Sequence, residues 1–390
     1  MKITGRTILI TGGSAGIGLA FALKFLELGN EVIVTGRRRT VLDEVKAKYP
    51  KLHVIQSDVA SPAQIAALAA REGRFPWAGR ADGVCMSDHK GFTEVDVPSQ
   101  SGKCFIVTGA NAGVGFELSR VLAARGARVL LGCREKGRAE EAIARIKQQT
   151  PNANLAWLPL DLGDIESVRA AVAKASKEPR IDALINNAGV MNPPLTRTKQ
   201  GFESQFGVNH LGVFALTSLL LPKLAETPGS RIVVTSSIAH LKAKIDWDDL
   251  NAERSYSKRE RYGASKLANA LFFFELDRRL RATRSPITAV GAHPGVASTS
   301  LGRHMGPVQL VGPIVGLLLN SAAKGAWPAL LAATGPVKPG GYYGPTRFGG
   351  IRGVAGEAKR APQAEDPALA KRLWDVSVAM TGIDPGLPAV

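Results

Sequence analysis

Two hydrophobic patterns alternate along this chain: short β-rich runs and longer stretches with apolar residues at helical spacing. RTILITGG (6–13) is a β-rich run ending in glycines, and SAGIGLAFALKFLELG (14–29) continues it as a helix. NEVIVTG (30–36) predicts a second strand, residues 40–50 a helix, and LHVIQSD (52–58) a third strand ending in an aspartate. Residues 61–72 predict a further helix, with Ser61 at its N-cap and Pro62 just inside. The pattern then breaks. Residues 72–102 have no clean period and are rich in glycine and charge, so 73–101 are expected to be a linker.

After the break the opening pattern begins again. KCFIVTGANAGVGFELSRVLAARGARVLLGCR (103–134) repeats residues 7–37 with its glycines in register at an offset of 97. Gly12 matches Gly109, Gly16 matches Gly113, Gly18 matches Gly115 and Gly29 matches Gly126, while Arg37 falls on Arg134. Asp58 corresponds to Asp161. The second copy continues where the first stops. LAWLPLDL (155–162) is followed by a helix near 164–177, the strand DALINNAG (182–189), a long helix near 201–225 and the strand RIVVTSS (231–237). A helix bearing Tyr262 and the strand ITAVGAHPG (287–295) complete the pattern. Strands alternating with helices predict an α/β fold with a doubly wound parallel sheet covered on both faces. The expected organisation is a partial unit of that fold over 1–72, the linker, and a complete unit over 102–390.

Composition changes this picture little. Hydrophobic residues are 45% and charged residues 21% of the 390, which fits a globular protein with a sizeable core. No apolar run approaches the ~20 residues of a membrane span. MKITGRTILITGG does not read as an export signal. Three cysteines without metal or redox spacing, Cys85, Cys104 and Cys133, argue for a reducing cytoplasm and against a disulfide framework. The formal charge of +17 admits two readings: attraction to an anionic surface, or an arginine-rich solvated exterior. Its scatter into short clusters such as Arg37-Arg38-Arg39 favours the second and speaks against nucleic-acid binding.

The candidate chemistry lies in the complete unit. Tyr262 and Lys266 are four residues apart, on one face of a helix. An ammonium beside a phenol lowers the phenol's pKa and fits it for proton transfer. Ser237, at a strand end, can reach the same place. The loop Gly109–Asn111–Gly113–Val114–Gly115 joins a strand to a helix in a T-G-x-x-x-G-x-G spacing, as a pyrophosphate cradle needs. Arg134, just after the second strand, suits a 2′-phosphate and so NADP rather than NAD. Asp161, followed by Leu162, is either an acceptor for an adenine amino group or a strand-end turn former. Of Asn186 and Asn187, one ties neighbouring strands together. The other, with Ala188 and Gly189, would border a ribose. Asn209, inside an apolar helix, has either a polar task or the role of a satisfied core amide. His293 before Pro294-Gly295 reads as structural.

TGANAGVG, NNAG, the Asn209 helix, Ser237, Tyr262-x-x-x-Lys266 and HPG, in this order across roughly 100–390, resemble the short-chain dehydrogenases/reductases. NNAGVMNPP, FGVNHLGVFALT, YGASKLAN and AHPGV are most similar to the retinol-dehydrogenase-like branch. The resemblance implies Tyr262 as general acid/base, Lys266 lowering its pKa and holding the nicotinamide ribose, and Ser237 orienting the substrate oxygen. It implies that Asn209 fixes a proton-relaying water and that Pro294, Gly295, Val296 and Thr299 lie at the nicotinamide end. Residues 1–72 resemble the start of such an enzyme but end before any catalytic position.

The leading expectation is an NADP(H)-dependent oxidoreductase interconverting a carbonyl and an alcohol, needing no metal and working as a homo-oligomer. Its competitor is a catalytically silent dinucleotide sensor or scaffold. The apolar stretch 306–335, broken by glycine and proline, is either a substrate cover, with a hydrophobic substrate and a peripheral membrane contact, or a packed helix pair closing the sheet.

Overall fold

The structure is a computed structural model that describes residues 4–5, 7–58, 61, 64, 91–296 and 320–390. The chain divides into two compact units, Met1–Ser87 and Asp88–Val390. The expected helix over 61–72, most of the linker, Thr299 and much of 306–335 lie outside the described residues.

In the smaller unit, β1 (Thr7–Thr11), β2 (Glu31–Gly36) and β3 (His53–Gln56) form a parallel sheet in that order. Helices α1 (Gly16–Glu27) and α2 (Arg39–Lys48) make the crossovers. Val32 and Val34, two residues apart on β2, share one face of the sheet and pack with Ala22, Leu42, Val45 and Leu52. Leu9 and Phe21 remain about half exposed.

The larger unit is built on eight strands. They are β4 (Cys104–Thr108), β5 (Arg128–Cys133), β6 (Asn154–Pro159), β7 (Ala183–Asn186), β8 (Arg231–Thr235), β9 (Thr288–Ala292), β10 (Tyr342–Arg347) and β11 (Arg352–Glu357). Their order is β11-β10-β9-β8-β7-β4-β5-β6. Every pairing is parallel except β10 with β11, an antiparallel hairpin at the edge. The strand pleat feeds two cores. Cys104 and Ile106 face α5 (Ile165–Ala175), α6 (Gly212–Ala225), α7 (Lys258–Ala282) and α9 (Pro367–Thr381). Phe105 and Val107 face the opposite layer of α3 (Gly113–Ala124), α4 (Lys136–Gln149) and α8 (Ala322–Thr334). This is the doubly wound sheet that the alternating pattern predicts.

Several local features differ from the sequence reading. Residues 91–101, within the stretch expected to be a linker, fold onto the larger unit: Phe92 bridges to Ala355 on β11, Val97 is buried, and Arg120 pairs with Glu94 at 2.7 Å. The helix expected near 201–225 begins at Ser204, where buried Glu203 accepts bonds from the backbone N–H groups of Gln205 and Phe206. It passes through a π turn, Gly207–Leu211, into α6. As one element, Ser204–Ala225 is 22 residues, long and apolar enough to cross a membrane by length and composition, which corrects the reading that no apolar stretch reaches that length. Most of it is buried in the protein, as a core helix is.

The sheet also fixes where a ligand can enter. Strands β4, β5 and β6 run to one side, and β7, β8 and β9 to the other. The chain order therefore reverses between β4 and β7, and a crevice opens beyond their carboxyl ends.

Candidate active site

The loop leaving β4 occupies that crevice. Gly109 and Gly113 hold φ of +67° and +57°, which a side chain rarely adopts. Gly115 is required for a different reason. A Cβ there would lie 2.3 Å from the Gly109 carbonyl oxygen and 2.6 Å from Asn187 Nδ2. At Gly113 a Cβ would meet nothing within 4 Å, so the loop is open on that side. No side chain caps α3 at Ala112, which leaves the N–H groups of its first turn for another acceptor.

The two adjacent asparagines do not divide the expected roles between them: Asn187, at the cavity, is also the one that ties the neighbouring strands β7 and β4. Asn186 Nδ2 donates to Thr217 Oγ1 at 3.0 Å, tying β7 to α6 rather than to a neighbouring strand. Asn187 donates from its amide Nδ2 to the Thr108 carbonyl at 2.9 Å. The backbone N–H groups of Asn187 and Ala188 both donate to Thr108 Oγ1. Thr108 thus fastens the end of β7 to the glycine loop. It lies just before Gly109 in the T-G pair, and that position was the only sequence signal for it.

A cavity of about 510 Å³ extends from this loop past Gly132–Arg134 and Leu160–Leu162 to Asn187–Met191. Asn111, Gly113, Val114, Gly115, Arg134, Asp161, Leu162, Ala188 and Gly189 all line it. Arg134 is exposed and, among the described residues, has no ion-pair partner, whereas Arg138 beside it pairs with Glu135 at 2.9 Å. Asp161 serves the turn: its Oδ1 accepts from the Gly163 N–H at 2.8 Å. It also lines the cavity.

The catalytic candidates converge beyond Gly189. A Cβ on Gly189, which lines the cavity, would stand 3.1 Å from Asn209 Oδ1 and 3.3 Å from Lys266 Nζ, so both side chains lie directly behind it without lining the cavity themselves. Lys266 is buried, with its Nζ donating to the Thr235 carbonyl at 3.3 Å and 5.9 Å from the Tyr262 ring centre. The half-buried Tyr262 stands beside Ser237, near enough for that hydroxyl to act on its pKa, while Ser237 Oγ accepts from the Ala239 N–H at 3.2 Å. Ser236 is excluded from the role of Ser237: it is buried and donates to the Lys266 carbonyl at 2.7 Å.

The electrostatics correct one expectation. Burial raises the Tyr262 phenol above its ordinary value, and the nearby Ser237 hydroxyl opposes this only in part. Lys266 does not lower it here. Burial pushes the ammonium itself down to about 8, and its bond goes to a backbone carbonyl instead of the phenol.

Asn209 sits in the π turn, fully buried, with its amide consumed. Its Oδ1 accepts from the Val190 N–H at 2.7 Å, and its Nδ2 donates to the Val190 carbonyl and to Ser265 Oγ, each at 2.9 Å. The side chain is a satisfied core amide that brackets the cavity end. A π turn interrupts the regular ladder of carbonyls, and nothing in the local sequence marks it. His293 is structural: burial drives its pKa down to about 3, and its Nδ1 accepts from the Gly295 N–H at 3.2 Å. Gly295, at φ +73°, would carry a Cβ 2.2 Å from the Ile351 carbonyl oxygen. Val296 donates its N–H to that same oxygen, which places the turn after Pro294 against β11. These three residues do not line the cavity, and Thr299 lies outside the described residues.

The short chain dehydrogenase family model matches residues 6–73 and 103–308. Mouse (Mus musculus) retinol dehydrogenase 14 is 42% identical over 299 residues, covering 72% of this chain and 86% of that protein. Human (Homo sapiens) retinol dehydrogenase 13 is 43% identical over 293 residues, covering 73% of this chain and 86% of that protein. A crystal structure of an uncharacterised protein from Mycobacterium paratuberculosis superposes with a TM-score of 0.64 at 37% identity, covering 76% of this chain and all of that one. With the glycine loop, the Asn187 clamp and the Ser237–Tyr262–Lys266 cluster in place, the chain belongs to the short-chain dehydrogenase family, in the branch of the retinol dehydrogenases, and is an NAD(P)-dependent oxidoreductase acting on CH–OH groups.

Proposed function

We propose that the protein is an NADP(H)-dependent enzyme that interconverts a carbonyl and an alcohol on a hydrophobic small molecule. The reading rests on one juxtaposition: Tyr262, beside Ser237, on the helix whose Lys266 stands behind Gly189 of a glycine-walled cavity. The cavity fits a dinucleotide. Open space beside Gly113, an uncapped helix N-terminus and an arginine with no ion-pair partner among the described residues are what a pyrophosphate and a 2′-phosphate need. When bound, the nicotinamide supplies or accepts the hydride.

The chain's own residues handle the rest. Gly109–Gly115 bring backbone N–H groups to the pyrophosphate, and Arg134 meets the adenosine-ribose phosphate. Asn187 and Gly189 border the second ribose, and Lys266 donates to its hydroxyls. Ser237 holds the substrate oxygen, and Tyr262 gives it a proton in reduction or takes one in oxidation. A high phenol pKa in the free protein keeps Tyr262 protonated, ready to donate. The retinol dehydrogenases of mouse and human are named for an apolar alcohol, which supports a hydrophobic substrate here. Catalysis belongs to the unit Asp88–Val390, and the smaller unit is proposed to be a partial copy of the same fold with no catalytic role.

Tyr262→Phe removes the hydroxyl and leaves the ring. We expect turnover of NADPH with hydrophobic aldehydes to fall on the order of 10²-fold or more. NADPH affinity, read by fluorescence titration, should stay within about twofold, because only the proton donor is lost. Near-normal turnover in this variant would remove Tyr262 from its role.

A further inference from the structure

Behind Ser237 lies a buried imidazole that the chemistry above does not use. His240 is 1% exposed, in the 3₁₀ turn Ile238–Lys242 that begins at Ser237. Its Nδ1 lies 2.5 Å from the Ser237 carbonyl oxygen. Its Nε2 lies 3.2 Å from the backbone nitrogen of Ala361. A carbonyl only accepts and an N–H only donates, so the two partners fix one tautomer: Nδ1 carries the proton and Nε2 is bare. The ring also stands edge-on to Tyr342, with centroids 5.4 Å apart and planes at 81°. Imidazole is thus held at both nitrogens and on one face.

The turn it braces lies directly on the catalytic helix. A Cβ on Gly263, the residue after Tyr262, would come within 3.2 Å of Ala243 Cβ, at the end of the same turn. The segment carrying Ala361 also holds that end, since Gln363 Nε2 donates to the Ala243 carbonyl at 2.7 Å. Two bonds from residues 361–363 therefore strap the turn between Ser237 and α7, one of them passing through His240.

We propose that His240 is a positioning residue. By donating from Nδ1 to the Ser237 carbonyl while accepting from Ala361, it fixes the Ser237 hydroxyl against Tyr262. This rests on the catalytic assignment of Ser237 and Tyr262 proposed above. The imidazole is buried and does not line the cavity, so its effect is expected to pass through Ser237. Misplacing a reacting group by about 1 Å can cost up to ~10² in rate, so loss of the brace should appear in kcat.

The test compares conservative replacements in the full-length protein. Asparagine places an amide N–H near Nδ1 and keeps the bond to Ser237, while glutamine reaches toward the Nε2 position and keeps only the side toward Ala361. We expect His240→Asn to retain kcat within about threefold and His240→Gln to lose about tenfold or more, with NADPH affinity unchanged in both. Equal kcat for the two variants would overturn the proposal. A thermodynamic cycle supplies the second measurement. In a Ser237→Ala background, His240→Gln should cost nothing further in kcat, because residues acting through one group are not additive. An undiminished His240→Gln penalty in that background would also overturn it. If instead Ser237→Ala alone leaves turnover intact, the underlying catalytic assignment fails, and the two failures are told apart.

Discussion

Arg134 illustrates how much one side chain can decide. It is exposed at the cavity wall directly after β5 and has no ion-pair partner among the described residues, whereas neighbouring Arg138 is engaged by Glu135. A guanidinium so placed offers a fork of donors to a phosphate and makes charge-assisted bonds that a neutral hydroxyl cannot match. Arg134→Ala should therefore weaken NADPH more than NADH, lowering the affinity ratio about tenfold or more. Fluorescence titration of both cofactors against wild type and variant measures it. A wild type that prefers NADH, or a ratio unmoved by the substitution, would end the assignment. The sequence placed Ser237, Tyr262 and Lys266 near one another, and the structure brings them together; it also placed Arg134 after a strand, where it lines the cavity. The sequence says less where the partner decides. Asn209 admits a polar task or a satisfied core amide from sequence, and only its bonds to Val190 and Ser265 show the second. The Tyr262 phenol was expected low because Lys266 is near in sequence, but burial acts on both groups and raises it.

The glycine loop carries its own prediction at the level of the element. Gly115 and Gly113 are both expected from the spacing, and their geometry separates their roles. A methyl group at Gly115 meets backbone at 2.3 Å, so α3 must shift away from the loop. Overpacking of that kind costs about 1–3 kcal/mol. A methyl group at Gly113 finds open space and pays only for φ of +57°, about 1–2 kcal/mol. Gly115→Ala should thus lower the urea midpoint more than Gly113→Ala, while both weaken NADPH because Gly113 faces the cavity. Equal stability of Gly115→Ala and wild type would contradict the packing argument. Elements with a clear period were legible: the strands from 104 to 292 and the helices between them lie within a few residues of their expected positions. The hairpin of β10 and β11 was not, because YYGPTRFGGIRGVAGE has glycines where an alternating pattern would need apolar residues. What makes it a sheet edge is pairing with distant chain, Tyr342 with Gly291 and Phe92 with Ala355.

The whole chain poses the question of why it holds two glycine loops. Locally the loops agree. Gly12 and Gly16 hold φ of +70° and +55°, and a Cβ on Gly18 would meet the Gly12 carbonyl oxygen at 2.3 Å, the same distance as between Gly115 and Gly109. Their surroundings differ. A Cβ on Gly109 would lie 3.0 Å from Ala188 at the end of β7, whereas one on Gly12 meets nothing within 4 Å. The wall built by Asn187, Ala188 and Gly189 thus has no counterpart at Gly12 among the described residues. Among the described residues, the smaller unit itself supplies nothing beside the first loop to cover the far side of a pyrophosphate or a nicotinamide ribose. Dinucleotide binding there should then be very weak, and the activity of the chain should reside in the unit that begins near residue 88. That unit includes Phe92 and Val97, whose contacts are lost if the chain is cut at 102, so the fragment to express is 86–390. Calorimetric titration with NADPH is expected to give one site in both the fragment and the full chain, with turnover per site within about twofold. Two sites in the full chain would assign a binding role to the smaller unit. A folded but inactive fragment would show that catalysis draws on residues before 86, and the division of labour argued from the Asn187 wall would be wrong.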